Sequence, residues 1–122
     1  MAEEKNFENK VKKFLKDEGC WYVKYWAGGG PTKKGIPDIL ACCNGFFLGI
    51  EVKATRGHAS ELQLWNIKKI REAGGFSIVL YPDDFERFKQ VIQDLNGREF
   101  HSYAHAIQSN FDREEMESDT YR

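Results

Sequence analysis

The sequence predicts an α/β fold with element order α-β-β-β-α-β-α and a central mixed sheet flanked by helices. Three observations carry the prediction. Asn44-Gly45 sits between two apolar runs, the strongest short-range signal for a two-residue β-hairpin. Apolar residues recur every three or four positions in three separate segments, as on the buried stripe of a helix. A lone apolar run, Phe76 to Tyr81, lies between two of those segments and reads as a further strand of the same sheet. At 122 residues, 41% of them apolar and 14% aromatic, the chain suits one domain with a single core. Residues 1–97 are expected to form it, with 98–122 as a C-terminal extension.

Each element follows from local chemistry. Phe7, Val11, Phe14 and Leu15 mark an amphipathic helix over 4–18, stopped by Gly19. Residues 20–26 are rich in strand formers and read as the first strand. Gly28-Gly29-Gly30-Pro31 then breaks regular structure, and the chain continues as a basic loop to Gly35. Residues 37–43 and 46–54 form the hairpin. Ser60 opens a second helix to about Ala73, with Leu62, Trp65, Ile67 and Ile70 as core candidates and Gly74-Gly75 as its stop. After the strand 76–81, Pro82 and Asp83 start a third helix, whose stripe is Phe85, Phe88, Val91, Ile92 and Leu95 and which Asn96-Gly97 ends. Phe100, Tyr103, Ile107 and Phe111 leave room for one more helix, and the acidic end from Asp112 is expected to be frayed.

The hairpin register is where function enters. A turn at Asn44-Gly45 pairs Cys43 with Phe46, Ala41 with Leu48 and Ile39 with Ile50, and puts Asp38 opposite Glu51. Opposed residues have Cβ atoms roughly 4.5–5.5 Å apart, where like charges destabilise a sheet. Two carboxylates there serve a fold poorly and a divalent cation well. Lys53 projects from the same face as Glu51. Ile39, Ala41, Cys43, Phe46, Leu48, Ile50 and Val52 take the other face, and both faces are expected to be mostly buried. Mg²⁺ typically takes one or two carboxylates, waters and substrate phosphates. Asp38 and Glu51 are the candidate ligands, with the Val52 carbonyl as a third oxygen and Lys53 beside the attacking water. The plain alternatives are a turn residue for Asp38 and a solvated strand face for Glu51 and Lys53.

Charge and cysteine usage narrow the setting. The net charge of −1 hides an asymmetry, because residues 94–122 carry seven acids against three Lys and Arg. Cys20, Cys42 and Cys43 give an odd count, with the adjacent pair on opposite strand faces. They read as small buried apolar groups in a reducing compartment, not as a disulfide framework or zinc ligands. The first residues contain no signal-peptide core, and no apolar run approaches the ~18 residues of a membrane span, so a cytoplasmic protein is expected. Its compactness would suit a phage-encoded protein.

Pro37-Asp38 followed by Glu51-Val52-Lys53 resembles the PD-(D/E)XK nuclease signature, whose core is restriction-endonuclease-like. Gly35-Ile36 before it, Gln63 on the following helix and the early Glu8 are similar to the VRR-NUC branch and the related archaeal-type Holliday junction resolvases. The resemblance spans roughly residues 4–92. It implies a Mg²⁺- or Mn²⁺-dependent endonuclease that cuts DNA phosphodiesters, with Asp38 and Glu51 on the metal and Lys53 assisting the water. It also implies Glu8 as a further metal ligand and Gln63 as a contact to Lys53 or the scissile phosphate. A surface helical Glu is the alternative for Glu8. For Gln63 it is the capping box Ser60-Glu61-Leu62-Gln63, and the two Gln63 roles compete for one rotamer. Lys33, Lys34 and Arg56 are candidate phosphate contacts, and His58 is either a DNA contact or a plain loop histidine. Trp21, Trp26 and Trp65 read as core or interface residues. A lone module this small is expected to act as a homodimer on branched DNA. Two rivals stand beside that reading: a non-catalytic DNA-binding or assembly module that keeps the fold, and a restriction-type nuclease.

Overall fold

In a computed structural model, which describes residues 2–26, 34–98 and 103–112, four strands form one sheet. They are β1 (Trp21–Lys24), β2 (Ile39–Cys43), β3 (Phe46–Val52) and β4 (Phe76–Leu80), in spatial order β1-β2-β3-β4. β1, β2 and β3 pair antiparallel, and β4 adds parallel to β3, so the sheet is mixed as the sequence predicts. The helices are α1 (Ala2–Asp17), α2 (Glu61–Glu72), α3 (Phe85–Asn96) and the short α4 (Tyr103–Gln108).

The hairpin forms in the expected register: Ile39↔Ile50, Ala41↔Leu48 and Cys43↔Phe46. Asn44 (φ 49°) and Gly45 (φ 89°) both adopt the left-handed backbone that such a turn demands. The Asn44 amide also donates to the carbonyls of Leu95 (2.8 Å) and Arg98 (2.9 Å), so the turn residue caps the end of α3. One sheet face buries Ile39, Leu48, Ile50, Val52 and Leu80 against Phe7, Val11 and Leu15 of α1 and Phe88 and Ile92 of α3. Edge-to-face aromatic pairs fasten the two helices together, Phe7–Phe85 at 5.5 Å and Phe14–Phe88 at 6.0 Å between centroids.

The opposite face is covered only in part. α2 lies close over Gly49 and Ser77; a Cβ at Gly49 would fall 2.9 Å from Ile70 Cδ1. With so small a floor, a narrow helix stripe fills the space. Ile67 is buried and Ile70 half-buried, but the expected core residues Leu62 and Trp65 are exposed, and Asn66 is buried in their place. Beyond the reach of α2, Trp21, Cys42 and Phe47 are exposed, which corrects the expectation of burial on both faces. Trp26 is exposed as well, so none of the three tryptophans is a core residue. The third helix begins as a 3₁₀ turn at Pro82–Asp84, and β1 is shorter than the predicted 20–26.

The cysteine expectation is overturned for all three, since two are bridged and the third is not buried. Cys20 and Cys43 form a disulfide with Cα atoms 4.7 Å apart, and Cys42 is free and exposed. The β1–β2 register (Trp21↔Cys42) extends by one step to place Cys20 opposite Cys43, at the separation of a non-hydrogen-bonded antiparallel pair. Spacing along the chain could not reveal that register. The bridge closes a loop of sequence separation 23, for which chain entropy gives a stabilisation of about 3 kcal/mol. Reduction, or joint replacement of Cys20 and Cys43 by Ala, is therefore expected to lower the urea midpoint clearly. Cys42→Ser should leave it unchanged. Equal midpoints with and without reductant would remove the bridge as a stabilising element.

Among the described residues no helix is long and apolar enough to cross a membrane. α4 and a 3₁₀ turn at Ser109–Phe111 answer to the additional helix expected in the extension. The frayed end expected from Asp112 lies, beyond that residue, outside the described residues, as does Lys33.

Candidate active site

Glu51 is the centre of the site. It sits next to last in β3, between β2 and β4, with its side chain toward α2, and is 1% exposed. Its Oε2 accepts a hydrogen bond from Gln63 Nε2 (3.0 Å) and lies 3.3 Å from Lys53 Nζ. Its Oε1 is buried and has no hydrogen-bond partner among the described residues. Burial disfavours the charged carboxylate, the neighbouring Asp38 charge adds to that, and Lys53 offsets it only in part. The Glu51 pKa is pushed up to about 7.

Asp38 reaches Glu51 from the strand end. The Tyr25 N–H donates to the Asp38 carbonyl (2.7 Å), which carries the β1–β2 ladder to this residue. Asp38 Oδ2 accepts from the Val52 N–H at 3.0 Å, which pins the carboxylate to the β3 backbone beside Glu51. The segment before it is held from α2: Asn66 Nδ2 donates to the Gly35 carbonyl at 3.0 Å. Gly35 has φ 78°, and a Cβ there would come within 2.5 Å of Leu62 Cγ, so the glycine of the Gly-Ile-Pro-Asp run is required both conformationally and sterically.

Gln63 makes the capping box and also reaches the site, but through Glu51 and not through the expected contact to Lys53 or a phosphate. Its Oε1 accepts from the Ser60 N–H (2.8 Å), and its own N–H donates to Ser60 Oγ (3.1 Å), completing the capping box. The remaining amide nitrogen is the one that holds Glu51. An amide has a separate acceptor and donor, so one rotamer serves the helix cap and the site together.

Glu8 is not a surface glutamate. It is 5% exposed, and its carboxylate accepts from Lys24 Nζ at 2.5 Å and lies 3.2 Å from Lys12 and 3.5 Å from Lys5. Burial works against its ionisation, but the hydrogen bonds from Lys24 and Lys12 outweigh it, and the pKa is lowered. Lys24 Nζ is also 3.7 Å from Asp38 Oδ1 and so joins α1 to the carboxylate pair. Lys24 and Asn66 are the residues the sequence reading did not assign to the site. The signal for Lys24 was its place in β1 opposite Ile39, next to Asp38, and it needed the β1–β2 register to be seen.

Lys34, Arg56 and His58 are exposed. The loop carrying Arg56 and His58 follows Lys53 directly and is tied down at two points. Glu3 accepts from the Thr55 N–H (3.2 Å) and hydroxyl (2.6 Å), and the Tyr81 hydroxyl donates to the Gly57 carbonyl (3.0 Å).

Among the described residues no three His, Cys, Asp or Glu side chains converge as a metal cage. The donor set fits a hard cation that keeps most of its ligands as water: two adjacent carboxylates, one with a buried oxygen left unpartnered. Such an oxygen costs free energy in the apo fold, and a bound cation would satisfy it.

No curated protein and no solved structure matches the chain. The family model of the archaeal Holliday junction resolvases does, over residues 2–78. That span contains Glu8, Lys24, Asp38, Glu51, Lys53 and Gln63, which gather at the carboxylate pair. The family lies within the PD-(D/E)XK nuclease superfamily and indicates a resolvase-like nuclease with a DNA substrate. With a sheet of the right kind, the motif residues drawn together and more than half its length matched, this chain belongs to the archaeal Holliday junction resolvase family.

Proposed function

We propose that the protein is a divalent-metal-dependent DNA endonuclease that acts on branched DNA such as four-way junctions. The observation that carries this reading is the buried, unpartnered Oε1 of Glu51 next to the Asp38 carboxylate, with Lys53 at 3.3 Å. Asp38 and Glu51 would hold Mg²⁺ or Mn²⁺, with the Val52 carbonyl as a third protein oxygen. When bound, the ion supplies Lewis-acid stabilisation of phosphoryl charge and acidifies a water. Lys53, steadied by Glu51, is placed to orient the attacking water or to counter charge on the phosphate. Gln63 keeps Glu51 in its rotamer through the hydrogen bond already described. Glu8 enters the metal sphere only by releasing Lys24; with Lys24 in place it positions that ammonium against Asp38.

Phosphate contacts fall to Lys33, Lys34 and Arg56, with His58 beside them, since such contacts supply most sequence-independent affinity. Residues 1–97 would form the nuclease domain and 98–122 an extension. A placement nearer the VRR-NUC branch rests on Gly35-Ile36 and Gln63. The exposed Trp21 and Phe47 on the half-covered sheet face, with exposed Trp65 of α2 beside Phe47, favour a homodimer, which would give two cutting sites for a symmetric junction. Light scattering that finds a stable monomer at micromolar concentration would remove the dimer.

Incubation with a synthetic four-way junction and with supercoiled plasmid, in Mg²⁺, Mn²⁺ or EDTA, tests the main reading. Metal-dependent cutting of the junction is expected, with none in EDTA. Tight junction binding without cutting in either metal would point instead to a non-catalytic module, and cutting confined to one duplex sequence to a restriction-type nuclease.

A further inference from the structure

We propose that Trp26 is the nucleobase contact of this site, stacking on a base exposed at a branch point or strand opening near the scissile phosphate. The proposal rests on the endonuclease reading above and deepens it, because it assigns one residue to the preference for branched over continuous DNA.

Trp26 lies two residues beyond Lys24 and is 70% exposed. Its indole is nonetheless anchored. The Lys24 ammonium sits over the ring, 5.4 Å from the centroid, and the same nitrogen bonds to buried Glu8 and lies 3.7 Å from Asp38 Oδ1. The ring centre is therefore no more than about 9 Å from the Asp38 carboxylate, the limit set by those two distances. Nucleotides advance about 3.4 Å along one strand, so the ring stands within roughly three nucleotides of the Asp38 carboxylate, where a bound cation would hold the phosphate. Lys24 covers one face of the indole, and the high exposure of the residue leaves surface for a second planar partner.

The other two tryptophans have no such link. Trp21 is at the opposite end of β1 beside Cys42, and Trp65 is on α2 with Lys69 over its ring at 5.5 Å. Among the described residues, Trp26 is the tryptophan that shares a lysine with the carboxylates.

The chemistry selects the kind of DNA. In continuous duplex each base face is covered by its neighbours, and an indole beside the backbone finds nothing to stack on. Where stacking is broken, at a junction crossover or an opened end, a base face becomes available. Base–aromatic stacking tolerates any sequence because every base offers a π-face. Trp26 would thus favour branched over linear DNA without reading sequence, while the surrounding lysines attract both forms alike.

The test uses the full chain in EDTA, where cutting is not expected, with a four-way junction and a linear duplex built from its arms. In a Trp21→Phe, Trp65→Phe background, excitation at the red edge of the spectrum, where tyrosine does not absorb, reports Trp26 alone. Saturating junction is expected to quench that emission, and saturating duplex to leave it nearly unchanged. Trp26→Ala should weaken junction binding about ten-fold and Trp26→Phe about two- to three-fold, with duplex binding unaltered. Because the side chain is exposed, both variants should melt with the wild type. Equal weakening for junction and duplex would overturn the proposal by reducing Trp26 to a general contact, and so would unchanged binding to both. A wild-type chain that binds neither DNA overturns the endonuclease reading itself. Wild-type chain that binds and cuts junctions while Trp26→Ala matches it sinks the stacking role alone.

Discussion

Replacing Glu51 with Gln is expected to reduce metal-dependent junction cutting by on the order of 10²–10³-fold, the usual cost of removing one preorganised electrostatic group from a reaction centre. The same change should make the metal-free protein more stable at alkaline pH. Glu51 has its pKa raised from 4.5 to about 7 in the fold. A carboxyl group with a raised folded-state pKa favours the folded state while protonated. That contribution is fully present below pH 4.5 and is lost as pH rises through about 7. Above that window the wild type holds a buried carboxylate whose Oε1 has no partner among the described residues, at a cost of about 3 kcal/mol. Gln at this position does not titrate, so urea midpoints measured in EDTA should fall between pH 4.5 and 8 for the wild type and stay flatter for Glu51→Gln. Adding Mg²⁺ at pH 8 should restore the wild type and not the variant. A variant that cuts normally, or shows the wild-type pH profile, would refute the central role given to Glu51.

Asp38→Asn is expected to lose cutting to a similar degree, on the order of 10²-fold or more, because one of two anionic oxygen donors disappears. Its effect on the fold has the opposite sense to a simple lost contact. The Asn side-chain oxygen can still accept from the Val52 N–H, so the strand end should hold. Removing the Asp38 charge also removes one of the causes that raise the Glu51 pKa. The upper end of the pH window over which metal-free stability is lost should therefore move down from about 7 toward that of an ordinary carboxylate. Asp38→Ala adds the cost of an orphaned N–H on buried Val52, about 1–3 kcal/mol. If Asp38→Asn retains junction cleavage, or leaves the pH dependence of wild-type stability in place, the two acids do not act as a pair.

The hairpin shows why some of this was legible in one dimension. An Asn-Gly turn needs two consecutive residues in left-handed backbone, which few other pairs tolerate, and strict alternation then assigns every side chain to a face. Asp38, Glu51 and Lys53 follow from that register without further information. Gln63 was only half legible. The capping box is a local pattern, but the second hydrogen bond depends on how α2 lies over β3. Glu8 was drawn toward the site by the resemblance alone, and its burial among lysines was invisible because periodicity says nothing of which residues approach from other elements. The errors on α2 have the same origin. Leu62 and Trp65 fit a helical stripe, yet Gly49 and Ser77 draw the helix in so close that only the line through Asn66, Ile67 and Ile70 faces the sheet.

Local chemistry alone determined the elements, the turn, the register of β2 on β3 and the two opposed acids, since each depends on backbone sterics and on neighbours a few positions away. Tertiary packing decided the rest: the Cys20–Cys43 bridge, the Lys24 link between Glu8 and Asp38, the exposed tryptophans and the unpartnered oxygen of Glu51. These arise between segments distant in sequence, where a contact depends on how close two elements approach and how much water is excluded.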